Sequence, residues 1–272
     1  MTSATSTTGW VDDYLARIGA TRPVSADLRA LRALQLAHLL AVPFENLSIH
    51  LGEPIVLDHA ELLTKVTRRH RGGFCYELNG AFAGLLTALG FRVSLLSARV
   101  FGAGNQPGPP FDHMTLRVEL AEPWLVDVGF GRFAMQPLQL GFRGDQPDPA
   151  GTFRVAGSPS GHGDFDVFHD GEPAYRVDPR PYELSDFAPA CWWQQTFPGS
   201  HFRRSLTCSI STRSGRITLS RDRLIVTEDG HREEHTLTSD TEILAAYRHY
   251  FGITLDRVPV IKGDEPHPWA KA

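Results

Sequence analysis

Arg71-Gly72-Gly73-Phe74-Cys75-Tyr76 is the stretch on which the reading of this chain turns. Two adjacent glycines let the backbone turn sharply. A helix is expected to begin near Cys75 and to run to about Leu89, where Gly90 can take the left-handed cap. The cysteine then occupies the first helical turn, where open amides and the helix dipole favour a thiolate, the reactive form of cysteine. A thiol pKa below the reference of about 8.5 is therefore expected for Cys75. The same amides can receive a developing oxyanion. Taken alone, the stretch also suits a buried structural cysteine, because free cysteine is among the most buried residue types.

The sequence before this stretch reads as helical. Leu28, Leu31, Leu34 and Leu39 recur near helical spacing behind Ser25 and Asp27, which suit an N-terminal cap, and Pro43 stops the run. A second helix is expected to open at Asp58, with Glu61 three residues on as in a capping box. Its basic end, Arg68 to Arg71, complements the helix dipole. Met1 to Gly9 is rich in Ser and Thr, lacks a secretion-signal pattern, and reads as a frayed tail.

Beyond Phe91 the period changes to that of strands. His113 to Leu120 alternates Met114, Leu116, Val118 and Leu120 with more polar neighbours. Ala121-Glu122-Pro123 turns the chain and Trp124 to Val128 returns, while Gly102 to Pro110 and Gly141 to Gly163 read as loops. After Pro189, strands are expected at Ser205–Ile210, Arg216–Ser220 and Arg223–Thr227, then a helix near Thr241–Phe251 with Ser239 and Glu242 as its capping box. The division is 1–90 helical, 91–188 strands, and 189–272 a small mixed unit, an α+β chain.

A nucleophilic cysteine needs a base, and the base an orienting partner. His113 opens the hairpin and Asp127 lies near its far end, so the two can face each other across it. A carboxylate inside Trp124-Leu125-Val126-Asp127-Val128 needs a partner, and His113 is the natural one. Asp112, adjacent to His113, should point to the opposite face of the strand.

Arg71 to Cys75, His113, and Val126-Asp127-Val128-Gly129-Phe130-Gly131 resemble three signature blocks of the arylamine N-acetyltransferases, and Pro43-Phe44-Glu45-Asn46-Leu47 a fourth. The resemblance implies a helical N-terminal domain, a central antiparallel β-barrel and a C-terminal α/β lid around a cysteine-protease-like core. It implies a triad of Cys75, His113 and Asp127 working by a ping-pong reaction through an acetyl-cysteine. Acetyl-CoA as co-substrate and a small aromatic amine or hydrazine as acceptor follow from it, in xenobiotic metabolism. Tyr76, Val100, Phe130 and Phe202 would line the acceptor pocket, although core packing is the other reading of all four. Gly129 would lie at the coenzyme A site, and an Arg71–Glu45 ion pair would hold the catalytic loop. Asp112 departs from the pattern, where relatives often carry an uncharged residue.

Composition narrows the alternatives. The 272 residues carry 27 Lys and Arg against 31 Asp and Glu, interspersed, with no basic stripe for a phosphate backbone, so nucleic acid is not an expected partner. No apolar run reaches the roughly 18 residues of a membrane span. The three cysteines, Cys75, Cys191 and Cys208, are odd in number and widely spaced. That spacing points away from disulfides and metal and toward a reducing cytoplasm. Papain-like and transglutaminase-like enzymes share the Cys, His, Asp order but lack these blocks. Macrolactam-forming amide synthases would share the triad.

Overall fold

The computed structural model describes residues 9–159 and 162–262. The expected tail lies outside the described residues except for Gly9, which opens α1 (Gly9–Arg17). There follow α2 (Leu28–Ala41), β1 (Phe44–Glu45), α3 (Leu47–Leu51), α4 (His59–Thr67) and α5 (Cys75–Ala88). The starts of α2 and α4 are those the sequence marks: Asp27 accepts from the Ala30 amide, and Asp58 from those of Ala60 and Glu61. Gly90 has φ +91°, the left-handed conformation expected beyond α5. The basic cluster after α4 does more than face the dipole. Arg71 turns inward and is buried against Glu45.

The middle of the chain forms β2 (Arg92–Val100), β3 (His113–Glu119), β4 (Pro123–Val126), β5 (Leu138–Gln139), β6 (Gln146–Asp148), β7 (Gly151–Gly157), β8 (Phe165–His169) and β9 (Glu172–Tyr182). They make an antiparallel sheet in the order β5-β4-β3-β2-β9-β8-β7-β6. Its two edges meet through one side chain. The Gln139 amide donates to Gln146 Oε1 at 2.7 Å and Gln146 Nε2 donates to the Gln139 carbonyl at 3.2 Å. The sheet is thus nearly closed into a barrel. The expected loop 141–163 contains β6 and β7. Gln146-Pro147-Asp148 is too short and polar to read as a strand, and Phe153 and Val155 are the buried positions of β7.

Alternation along the strands sends side chains to two cores. Met114, Leu116 and Val118 of β3 join Leu78, Phe82 and Leu85 of α5 in the first cluster, so the helices pack on the outside of the barrel. Leu96, Ala98, Phe153, Val155, Val167, Tyr175 and Val177 form the second.

The 3-10 turn Leu184–Phe187 leads into α6 (Ala188–Thr196) and α7 (His201–Arg204). Then come β10 (Cys208–Ser211), β11 (Gly215–Ser220), β12 (Arg223–Glu228), β13 (His231–Thr236) and α8 (Asp240–Phe251). Ser239 caps α8 by accepting from Glu242 N, and Gly252 ends it at φ 66°. Strand β13 is unexpected because His-Arg-Glu-Glu-His-Thr is exposed throughout and carries no apolar alternation. The sheet order is β1-β10-β11-β12-β13, so its first strand comes from the N-terminal region. Leu47 and Leu51 of α3 likewise join Cys208, Leu219, Tyr247 and Phe251 in the third core. Among the described residues no helix is long and apolar enough to cross a membrane.

Asn46 ties these regions together. Its Nδ2 donates to the carbonyls of Phe202 (2.9 Å) and Ser205 (2.6 Å), and its Oδ1 accepts from Thr207 N at 2.9 Å. Asn46→Ala would remove these partners from the half-buried Phe202 carbonyl and Thr207 N–H, while the Ser205 carbonyl keeps His50 Nε2. The expected loss is about 2 kcal/mol of unfolding free energy, read as a lower urea midpoint at an unchanged m-value.

Candidate active site

The loop before α5 is held by charge that water does not reach. Arg71 Nε and Nη2 form a two-pronged pair with Glu45 Oε1 and Oε2 at 2.9 and 3.2 Å. Its Nη1 reaches Glu53 Oε2 at 3.2 Å. Lys65 Nζ lies 2.5 Å from Glu77 Oε1 and 3.0 Å from Ser48 Oγ, while Glu77 Oε2 accepts from Phe74 N. Burial works against the Glu45 carboxylate, but Arg71 and Lys65 outweigh it and hold its pKa below the ordinary value.

The two glycines have a different role from the expected one. Neither Gly72 nor Gly73 has a positive φ. A Cβ at Gly72 would stand 1.7 Å from the Pro43 carbonyl oxygen, and one at Gly73 would stand 2.6 Å from Glu77 Oε2. Close approach to β1 and to the Glu77 carboxylate, rather than a special turn, excludes side chains there. Glu45 N donates to the Gly73 carbonyl and seals the loop against β1.

Cys75 emerges from this loop as the first residue of α5 and is 3% exposed. The amides of Glu77 and Leu78 already donate to the Phe74 carbonyl. The amides of Cys75 and Tyr76 are the ones a helix start leaves without a partner in the helix. His113, first residue of β3, acts on the Cys75 thiol and draws its pKa down against burial. Its Nε2 lies 2.7 Å from Asp127 Oδ2, so Nδ1 is the nitrogen left for the sulfur.

Asp127 lies just beyond the paired end of β4 and is 2% exposed. Four donors surround its carboxylate. Oδ2 takes His113 Nε2 and the Tyr175 hydroxyl (3.0 Å), and Oδ1 takes Asn79 Nδ2 (3.0 Å) and Gly129 N (2.9 Å). Burial alone would raise this carboxyl. His113 and the other donors hold it below its ordinary value. Burial likewise opposes the imidazolium, yet Asp127 raises His113 to about 10.

Burial pushes the Cys75 thiol above its ordinary value, with the His113 contact and a Met114 backbone N–H pulling the other way. The expectation of a lowered thiol pKa is corrected here: it counted the helix start and the imidazolium and left out burial. Because the two groups are coupled, the protons belong to the pair.

Asn79 and Tyr175 were not anticipated. Asn79 sits four residues after Cys75 on one face of α5, a spacing that offered a signal. It also donates to the Met114 carbonyl and accepts from Val128 N, so both ends of the amide are engaged. Tyr175 comes from β9, where no local pattern marks it. Burial, then Asp127, push its phenol well above the ordinary value, so it stays a donor.

The other predicted positions are divided. Gly129 belongs to the site, since a Cβ there would meet Cys75 Cα at 2.7 Å. The half-buried Phe130 ring stands edge-on to His113, with centroids 5.1 Å apart. Phe202 packs edge-on against Phe74 and tilted against Phe44. Tyr76 has no exposed surface: its hydroxyl donates to the carbonyls of Phe111 and Asp112, so it braces the chain leading into His113. Val100 ends β2 opposite Tyr175. Asp112 lies in the bend just before β3, outside the strand whose alternation was expected to set its direction, and accepts from Gln194 Nε2 of α6 at 2.9 Å. Among the described residues no three His, Cys, Asp or Glu side chains group as a metal site needs.

The constellation has counterparts. An N-acetyltransferase family model matches residues 27–260. The chain is 33% identical to an arylamine N-acetyltransferase of Escherichia coli K12, across 90% of this chain and 89% of that one. It is 35% identical to one from Mycolicibacterium smegmatis, across 89% and 91%. The fold is similar to that of the Salmonella typhimurium arylamine N-acetyltransferase, with TM-score 0.85, 30% identity and coverage of 92% and 93%. It is also similar to that of the Mycobacterium marinum enzyme in complex with CoA, with TM-score 0.80, 28% identity and coverage of 89% and 92%.

His113→Gln removes the charged neighbour that opposes burial at the sulfur. The pH profile of Cys75 alkylation by iodoacetamide should therefore move to higher pH than in the wild type. An unchanged profile would mean that His113 does not act on the thiol. Stability has a matching signature. A folded-state pKa raised to about 10 stabilises fully below the unfolded value of about 6.5, and the stabilisation is lost as pH rises toward 10. Between about pH 6.5 and 8.5 the wild type should lose stability with rising pH, and His113→Gln should not.

Proposed function

Because the chain belongs to the arylamine N-acetyltransferase family, and is thus an acetyltransferase, we propose that it moves acetyl from acetyl-CoA to an arylamine or arylhydrazine nitrogen through Cys75. The observation that carries this reading is the Cys75–His113–Asp127 alignment, with Asp127 saturated by four donors. The three cysteines are free, which suits a reducing cytoplasm. Neither a macrolactam-forming synthase nor a papain-like or transglutaminase-like enzyme draws support from the relatives named above.

In this reading the Cys75 thiol passes its proton to His113 Nδ1, and the sulfur attacks the thioester carbonyl carbon to form a sulfur–carbon bond. The amides at the start of α5 are placed to receive the oxyanion. Collapse breaks the bond to the coenzyme A sulfur, which leaves as a thiol with the proton of the His113 imidazolium. The product is acetyl-Cys75. The acceptor nitrogen then attacks the same carbon, His113 takes its proton, and Cys75 departs as thiolate. Asp127 fixes the ring so that Nδ1 faces the sulfur throughout. The residues present fit an acyl thioester: a thiol at a helix start, a charged imidazole against it, and Gly129 where a side chain would collide with Cys75.

Incubation with acetyl-CoA and no amine should give one acetyl adduct, mapped by mass spectrometry to Cys75 and not to buried Cys191 or Cys208. An adduct elsewhere, or full activity in Cys75→Ala, overturns the assignment. With both substrates varied, double-reciprocal plots should be parallel; intersecting lines would point to direct transfer in a ternary complex.

The two neighbouring aspartates should separate cleanly. Asp127→Asn should lower acetyl transfer by several orders of magnitude, on the scale of about ten-thousand-fold for an analogous triad change. Asp112→Asn should cost about tenfold or less, because it acts on His113 only as a nearby charge. The reverse ranking, with both variants folded by circular dichroism, would reassign the triad.

A further inference from the structure

Helix α7 carries Phe202 and is a single turn, His201–Arg204. One turn does not hold itself, because fixing its backbone costs more than the bonds it closes return. Its place is therefore set from outside. At its far end Asn46 donates to the carbonyls of Phe202 and Ser205, and His50 Nε2 donates to that of Ser205. At its near end Ser200 is the cap: its Oγ accepts from Phe202 N at 3.2 Å and donates to Gln194 Oε1 of α6 at 2.7 Å. Gln194 Nε2 in turn donates to Asp112 Oδ1 at 2.9 Å. A relay of side chains thus runs from the residue before His113, through α6, to the start of α7.

The carboxylate gives this relay its direction. An ionised Asp112 only accepts, so Gln194 turns its NH2 toward it and its carbonyl oxygen toward Ser200. The Ser200 hydroxyl has one proton and gives it to that oxygen, which leaves a lone pair for Phe202 N. Gln194 is 6% exposed and Ser200 1%, so water does not replace either partner. Packing does not fill the same gap. A cleft of about 550 Å³ lies between the segment 109–112 and α6, bordered by Pro110, Phe111, Trp193 and Gln194. The Asp112–Gln194 bond joins its two walls.

What the relay positions is the ring of Phe202. That ring stands edge-on to Phe74, with centroids 5.2 Å apart, and Phe74 is the residue before Cys75. It also lies 6.2 Å from the Phe44 ring, which borders Gly131 in the loop after β4. Phe202 is half-buried and packs on the cluster that contains Cys75, so a shift of α7 changes the space beside the thiol. On the acetyl-transfer reading above, we infer that Gln194 is a positioning residue: held by Asp112, it fixes α7 through Ser200 and so limits how large an acceptor reaches acetyl-Cys75.

The test compares wild type, Gln194→Leu, Asp112→Ala and Asp112→Asn in the full chain. Leucine fills the space of Gln194 without its polar ends. Alanine at 112 removes the acceptor, whereas asparagine keeps an oxygen for Gln194 and drops only the charge. The acceptor kcat/KM is measured for aniline and for 4-tert-butylaniline, and Cys75 acetylation by acetyl-CoA is followed separately without amine. The ratio of bulky to small acceptor should rise by about fivefold or more in Gln194→Leu and Asp112→Ala, chiefly through KM. In Asp112→Asn it should stay within about twofold of wild type. Acetylation of Cys75 should stay within about threefold of wild type in Gln194→Leu.

An unchanged ratio in both Gln194→Leu and Asp112→Ala overturns the inference. So does an equal fall for both amines together with slower acetylation, the mark of a merely structural role. An Asp112→Asn ratio shifted as far as that of Asp112→Ala would assign the effect to charge instead of the hydrogen bond, and overturns it too. Because Asp112 is only half-buried, its two variants decide the matter even if Gln194→Leu does not fold. A wild type whose Cys75 takes no acetyl from acetyl-CoA, or passes none to aniline, would instead remove the acetyl-transfer reading itself, and this inference with it.

Discussion

One carboxylate organises the site. Asp127 is almost wholly removed from water, and an isolated charge in that position would neutralise itself. It stays ionised because His113, Tyr175, Asn79 and Gly129 all donate to it. Each donor arrives on a different element: His113 on β3, Tyr175 on β9, Asn79 on α5, and Gly129 on the loop after β4. Satisfying the charge therefore docks the nucleophile helix onto the barrel. The same contacts fix the imidazole, since Nε2 is committed to Asp127 and Nδ1 is left for sulfur.

A second buried charge network sets the other coordinate of the thiol. Glu45 and Arg71 fasten the loop before Cys75 to β1, while Lys65 and Glu77 fasten the helix behind it. Glu77 faces both ways, because it also accepts from Phe74 N. The glycines at 72 and 73 are the steric condition for this arrangement. Replacing one ionic partner would leave the other buried and unpaired, a loss larger than that of a surface pair. The nucleophile is thus held between two polar clusters rather than by apolar packing alone.

The lid shares its sheet and its core with the N-terminal region. Strand β1 is the edge of the lid sheet, and Asn46 binds the carbonyls of Phe202 within α7 and of Ser205 at its end. The segment from Phe44 to Leu51 therefore serves the catalytic loop through Glu45 and the lid through Asn46, Leu47 and Leu51. A change at the seam reaches Phe202 and Phe74 through the same few residues, which links the position of the lid to the thiol.

Local chemistry determined much of this protein. Caps at Asp27, Asp58 and Ser239, the stop at Gly90, the hairpin of β3 and β4, and the facing of His113 and Asp127 follow from side-chain period, capping hydrogen bonds and turn residues. Each operates within a few residues, so the sequence displays it directly. Other features depend on which distant segments become neighbours. Tyr175 reaches Asp127 only through the β2–β9 register, and His-Arg-Glu-Glu-His-Thr becomes a strand only because β12 offers it an edge. Burial of Cys75, which reverses the expected direction of its pKa, is set by a barrel, a helix and a lid closing around one atom. A linear pattern records what a residue can do, and desolvation depends on everything packed around it.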